Sequence, residues 1–261
     1  MNEYPGWRSR RPHTLQKRPY VFHHAVRTPI VLGNSKKGKH AGFSEQDVLR
    51  LAETAYSENP SFAVDSEKTA LLVIDMQDEF VKPHWTPFWV PEATRIVRRV
   101  RRLVDFCRSK KIPVIFTAFA RTHSYLDRPR TGAFMPNRYA GKVLDDPSYF
   151  KDGRIWHGLP RRKDEVVIHK PSYGAFYDTP LETILKNLGR DTVIICGTLT
   201  NFCCGTTARQ AYERGFKVIV GSDVTATDDP GLHEAELKTL RKGFAIVAPS
   251  TQIVKKLGSA R

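Results

Sequence analysis

Six short apolar runs, at residues 69–75, 113–119, 165–169, 192–196, 217–221 and 244–247, punctuate most of this 261-residue chain. They are rich in Val, Ile, Leu and Phe and too short for buried helices, so they read as strands covered on both faces. Between them, at 92–110, 179–188, 203–214 and 232–241, apolar residues recur at helical spacing. Strands alternating with helices predict right-handed βαβ units and a six-stranded, mainly parallel α/β sheet with helices on both faces. The stretch 120–164 is left as a long loop, and loops of that length in compact domains are commonly functional lids.

The first 66 residues have a different composition and are expected to form a basic N-terminal extension, with the main α/β domain occupying 67–261. One helix is predicted there, over 44–52, started by a capping-box-like Ser44 and Asp47. The formal net charge is +15, and much of it lies in the first forty residues, where Glu3 is the only acid. A second basic concentration falls in the helix predicted at 92–110. There Ile96, Val100, Leu103, Val104 and Cys107 form an apolar stripe, which places Arg98, Arg99, Arg101 and Arg102 on the solvent side. The charge reads as a solvated helix face plus an arm for covering the site or for assembly. No nucleic-acid module or aromatic platform accompanies it, so nucleic acid is not an expected partner.

Four cysteines without paired spacing exclude a disulfide framework and a zinc ribbon, and they point to a reducing compartment. No run is long and apolar enough to span a membrane, and the N-terminus lacks a secretory apolar core. A cytoplasmic, membrane-free protein is expected.

Chemistry concentrates where strands end. In an open parallel sheet, ligands bind beyond the carboxyl ends of the strands. The run 69–75 ends in Asp75, a carboxylate, and the next run delivering a polar group is 165–169, followed by Lys170, an ammonium. The run 192–196 leads through Gly197-Thr198-Leu199-Thr200-Asn201-Phe202 to Cys203 at the start of a helix. A helix N-terminus favours the thiolate, so a depressed thiol pKa is expected for Cys203. Asp75 is placed to act as general base and Lys170 to stabilise developing negative charge. Taken singly, each has a plainer reading: a turn-forming Asp, a solvated Lys, a small buried Cys. Cys107, Cys196 and Cys204 read as core residues. Jointly, the three make a constellation.

The chain resembles the isochorismatase-like cysteine hydrolases, a family that includes nicotinamidases, N-carbamoylsarcosine amidases, biuret hydrolases and ureidoacrylate amidohydrolases. The resemblance rests on Val73-Ile74-Asp75-Met76-Gln77 with Phe80, on Lys170-Pro171 with Phe176, and on Gly197, Thr200 and Cys203 in the family's order, across residues 68 to 250. It implies a doubly wound parallel sheet and a catalytic triad of Asp75, Lys170 and Cys203. It also implies a cis peptide bond at Thr198-Leu199 and an oxyanion hole formed by the backbone N–H groups of Leu199 and Cys203. Of the aromatics, Phe80 holds the motif's terminal position, and Trp85, Phe176 and Tyr177 are further candidates for lining the substrate. The implied activity is cleavage of a C–N bond in a small amide, carbamoyl or ureido compound through a Cys thioester, releasing ammonia or an amine, in a homo-oligomer.

Nicotinamidases of this superfamily carry an Asp-x-His element after the second strand. Here the comparable residues run Thr117-Ala118-Phe119-Ala120-Arg121-Thr122-His123. No required metal and no cofactor are expected, and linear carbamoyl or ureido substrates are favoured over a pyridine carboxamide. Two other readings stand beside this one. A vinyl-ether hydrolase of the isochorismatase type shares the fold but lacks the cysteine, and a noncatalytic basic interaction protein would use the same scaffold.

Overall fold

The computed structural model describes residues 42–57, 62–129 and 148–259. Most of the basic extension, and the part of the long loop holding Arg130 and Arg138, therefore lie outside the described residues. Contacts separate Met1–Phe43 from a compact unit, Ser44–Arg261, which carries every element below.

In chain order the elements are α1 (Glu45–Ser57), β1 (Thr69–Ile74), α2 (Asp78–Val81), α3 (Pro91–Ser109), β2 (Val114–Phe119), β3 (Val166–Lys170) and α4 (Leu181–Asn187). They continue with β4 (Thr192–Thr198), α5 (Gly205–Glu213), β5 (Lys217–Ala226), α6 (Pro230–Gly243), β6 (Ile246–Ala248) and α7 (Ser250–Ser259). The six strands form one sheet in the order β3-β2-β1-β4-β5-β6, and every pairing is parallel. The chain winds outward from β1 to β3, then restarts at β4 on the other side of β1. The switch point between β1 and β4 is where such a sheet opens a crevice.

Both faces are covered. Leu71, Val73, Ile194, Cys196 and Ile219 pack on one side with Ile96, Val100 and Leu103 of α3 and Ile253 and Leu257 of α7. Leu72, Ile74, Val193, Ile195 and Val218 pack on the other with Leu181 and Leu185 of α4, Ala208 and Ala211 of α5 and Leu240 of α6. Alternate residues of each strand enter opposite cores, which is why the runs are apolar throughout rather than alternating. On α3 the buried positions are the expected stripe, with Ala93 added. Its arginines are tied down individually: Arg99 Nε donates to the Asp223 carbonyl at 2.7 Å, and Arg108 grips Glu165, just before β3, at 2.7 and 2.8 Å.

Three features differ from the sequence reading. β5 runs five residues past its apolar stretch, through an irregularity opposite β4 between Ile195 and Gly197. The polar Ser222 and Asp223 that end the apolar run are used there, since Asp223 accepts the Ser250 N–H at 2.6 Å and the Ser250 hydroxyl at 2.8 Å at the start of α7. The helix α7 itself is new, burying Ile253 and Leu257 in the core with Val254 packed against it. The short α2 is also new. At the N-terminal helix the capping box forms, Asp47 Oδ2 accepting from Ser44 N at 3.0 Å while Ser44 Oγ accepts from Asp47 N at 3.2 Å.

A close backbone approach lies between β1 and β4. Gly197 pairs in register with Ile74 at φ +119°, and a Cβ there would overlap the Ile74 carbonyl oxygen. Only glycine fits both the angle and the space. Gly197→Ala is therefore expected to cost roughly 3 kcal/mol or more in urea unfolding, in the range of severe single substitutions. A loss within error of zero would show that β1 and β4 separate freely at that point.

Candidate active site

Asp75 follows β1 directly, with φ 47°, a left-handed turn that aspartate tolerates better than most residues. Its N–H donates to the Thr117 carbonyl of β2 at 3.2 Å. The Thr117 hydroxyl donates in turn to Asp75 Oδ1 at 2.6 Å. Oδ2 faces the ammonium of Lys170, at 2.7 Å, and both side chains are fully buried. The pair is hydrogen-bonded as well as ionic, and the Cys203 thiol shares the same carboxylate. Lys170 ends β3, and its Nζ also donates to the Ser172 carbonyl at 2.9 Å. The Phe119 ring lies 5.5 Å from that nitrogen.

Cys203 sits in a π-helical turn, Thr200–Cys204, between β4 and α5. It is 2 % exposed and interacts electrostatically with both Lys170 and Asp75. Thr198-Leu199 is a cis peptide bond, as the family resemblance implied. Leu199 opens the turn, its carbonyl accepting from Phe202 N at 3.2 Å and Cys204 N at 3.0 Å. Side chains from β5 and α6 hold the turn from outside. Thr198 Oγ1 donates to the Ala226 carbonyl at 3.1 Å, Thr227 Oγ1 donates to Asn201 Oδ1 at 2.6 Å, and Thr200 Oγ1 meets His233 Nδ1 at 2.9 Å. The Thr207 hydroxyl of α5 donates to the Cys203 carbonyl at 2.6 Å.

The electrostatics correct one expectation. The Cys203 thiol is not lowered. Burial is the largest influence and pushes it up to about 12, the Asp75 carboxylate adds to the rise, and the Lys170 ammonium only partly offsets them. For Lys170, burial pulls the ammonium down most strongly, but Asp75 and Cys203 outweigh it and hold its pKa above the usual lysine value. Burial thus favours the protonated thiol in the resting site, beside the Lys170 ammonium. Cys204 and Cys107 are likewise raised by burial, the latter to about 12, which fits residues of the core.

Of the proposed substrate-lining residues, Phe176 is buried in the same core cluster as Cys203. Its N–H bonds Gln210 Oε1 at 3.2 Å, its ring packs 5.7 Å from Phe216, and Arg214 lies over it. Ala175, just before Phe176, donates its N–H at 3.0 Å to the Thr207 hydroxyl that bonds the Cys203 carbonyl. Phe80 reaches the ion pair only through a stack of rings, 5.5 Å to Phe150, which is 5.1 Å from Phe119. Trp85 is farther out, 40 % exposed, with Lys82 and Tyr149 as neighbours. Tyr177 is half-buried, its N–H bonded to the Gly174 carbonyl.

Sequence reasoning missed Thr117, Phe119 and the buried pair Gln77 and Glu79. Gln77 bridges Phe119, accepting from its N–H at 2.8 Å and donating to its carbonyl at 3.0 Å. Glu79 accepts from Gln77 Nε2 at 2.8 Å and from Phe150 N at 2.9 Å. It also missed Tyr173 and Phe202, an exposed aromatic pair 5.3 Å apart, close in sequence to Lys170 and adjacent to Cys203. Aromatics next to reactive residues were the available signal. Among the described residues, no three His, Cys, Asp or Glu side chains cluster to hold a metal ion, and no helix is long and apolar enough to cross a membrane.

Residues 69–252 match the Isochorismatase domain. Nicotinamidase 3 from Arabidopsis thaliana is 34% identical over 193 residues, 74% of this chain and 90% of that protein. Ureidoacrylate amidohydrolase RutB from Methylorubrum extorquens is 26% identical over 225 residues, 80% of this chain and 90% of that protein. The chain spans 59% of enterobactin synthase component B from Escherichia coli, at 31% identity over 180 residues. Among solved structures, a cysteine hydrolase from Pseudomonas syringae pv. phaseolicola superposes with a TM-score of 0.69 at 27% identity, covering 78% of this chain and 99% of that one. With its doubly wound parallel sheet and a buried Asp, Lys and Cys at the switch point, the chain belongs to the isochorismatase-like cysteine hydrolase family.

Proposed function

We propose that the protein hydrolyses a C–N bond of a small amide, carbamoyl or ureido compound, with Cys203 as nucleophile, Asp75 as general base and Lys170 as the charge that stabilises both. The observation that carries this reading is the fully buried Asp75–Lys170 pair at 2.7 Å, in electrostatic contact with the Cys203 thiol. The relatives named a nicotinamidase and a ureidoacrylate amidohydrolase support the bond type.

Because the resting sulfur is protonated, attack and deprotonation are coupled. The Cys203 proton passes to Asp75 as sulfur bonds to the substrate's carbonyl carbon. The C–N bond then breaks as Asp75 returns that proton to the departing nitrogen, leaving a thioester. Water adds to the thioester carbon, giving a proton to Asp75, and the C–S bond breaks with that proton restored to sulfur. The products are ammonia or an amine and an acid or carbamate. The N–H groups of Leu199 and Cys203 are proposed as donors to the oxyanion in both steps. Phe80 and Phe119, together with Trp85 and Tyr177 nearer solvent, are proposed to shape the substrate space. A homo-oligomer is proposed as the working form.

Three measurements follow. Ammonia release from a panel of nicotinamide, N-carbamoyl amino acids, biuret and ureidoacrylate should identify a substrate, and Cys203→Ala should abolish its turnover. Turnover surviving in that variant removes Cys203 from the chemistry. Alkylation of Cys203 by iodoacetamide should rise about tenfold per pH unit from neutrality without a plateau, since the thiolate is the reactive form. A plateau below pH 8 would mean a resting thiolate. Thr117→Val removes the hydrogen bond that orients Asp75 and should lower kcat about tenfold with KM little changed, a part of the roughly 10²–10⁴-fold that a general base contributes. An unchanged kcat would make Thr117 structural only.

A further inference from the structure

An open cavity of about 420 Å³ lies against strand β3, and none of Asp75, Lys170 or Cys203 lines it. Alternation along β3 explains the separation: Val167 and His169 line this cavity, while Ile168 and Lys170 point to the opposite face. The volume falls within the range of small-molecule sites, about 300–1,000 Å³. The other wall is the segment after Gly153. It is fastened to the residues following Asp75, with Arg154 O accepting from Asp78 N at 2.9 Å and Trp156 N donating to Met76 O at 2.9 Å. Ile155 of the same segment bridges Gln77.

The lining divides by chemistry. Ile155, Trp156, Leu159 and Val167 supply an apolar surface, and Arg154, His157, Arg161 and His169 supply cationic and imidazole groups. Arg161 is held in place through Nη1, which donates to the carbonyls of Arg162 at 3.0 Å and Glu165 at 2.8 Å. A guanidinium has five N–H donors, so several remain for a ligand. Neither Arg154 nor His169 makes a side-chain hydrogen bond among the described residues. Asp78 is the acid whose charge interacts with Arg154 and His157. Two guanidinium groups and two imidazoles exceed what one carboxylate would need. They suit a phosphate, which presents three acceptor oxygens and close to two negative charges.

We propose that this cavity binds a small organic phosphate, its phosphate held by Arg154 and Arg161 with the imidazoles of His157 and His169, and its organic part lying on Trp156, Ile155, Leu159 and Val167. The site is separate from the proposed thiol chemistry and stands whether or not that chemistry is correct. It also gives a role to Trp156 and His157, which the catalytic reading leaves unused.

Titration calorimetry on the full chain tests this with adenosine 5′-monophosphate, inorganic phosphate and adenosine as probes. The monophosphate should bind at a single site, be displaced by inorganic phosphate, and bind at least tenfold tighter than adenosine. Arg154→Ala should weaken it at least tenfold, and His169→Ala should weaken it as an independent second variant. Paired Arg98→Ala and Arg102→Ala changes on the solvent face of α3 should leave it unaltered. Circular dichroism confirms that each variant is folded. Adenosine binding as tightly as its monophosphate would overturn the proposal. So would affinity that follows the α3 arginines instead of Arg154 and His169, or the absence of saturable binding by inorganic phosphate.

Discussion

A carboxylate and an ammonium, neither with any exposed surface, face each other at 2.7 Å at the carboxyl edge of the sheet. Taking two charges out of water costs several kcal/mol per ion, and attraction offsets this only when the remaining polar atoms are also satisfied. Around Asp75 and Lys170 that condition shapes the neighbourhood. Thr117 covers one carboxylate oxygen and the Ser172 carbonyl takes an ammonium hydrogen. Phe119 presents its ring beside the same nitrogen. The two partners also come from strands separated by β2, a span of roughly 10 Å. A shorter cation could not bridge it, so lysine's long stem is a geometric requirement as well as a chemical one.

The architecture was legible because its signals are periodic and redundant. Residues Leu71 to Ile74 and Val193 to Cys196 feed both cores, and such runs have few alternatives to a buried strand. The stripe on α3 was equally clear. What escaped has weaker local signatures. Helix α7 buries Ile253 and Leu257 in the core, one turn apart and close behind Pro249. The far part of β5 escaped because Ser222 and Asp223 look like a strand end. Their purpose is long-range: Asp223 caps α7 and receives Arg99 from α3.

At the site, residue types at strand ends were readable, and their environment was not. A helix terminus and a nearby lysine suggested a lowered thiol pKa for Cys203, yet complete burial and the adjacent carboxylate reverse the sign. Local sequence does not report how deeply a side chain is enclosed. Phe176 shows the same limit in space. It follows Lys170 closely along the chain, yet its ring packs against Phe216, a partner forty residues on. Thr117 and Gln77 were invisible for the converse reason. Their partners, Asp75 and Phe119, are 42 residues distant in sequence.

Among the described residues, Lys170 ends a strand paired on one side only, with β2. Outer strands open more readily than central ones, and local opening can occur far below the free energy of global unfolding. Each such opening would draw the ammonium away from Asp75 while β1 and β4 stayed paired. The clasp between Arg108 on α3 and Glu165, immediately before β3, acts against that fraying. The ionic contact therefore depends on the pairing of this border strand with β2, and the same strand ties into the core through Ile168.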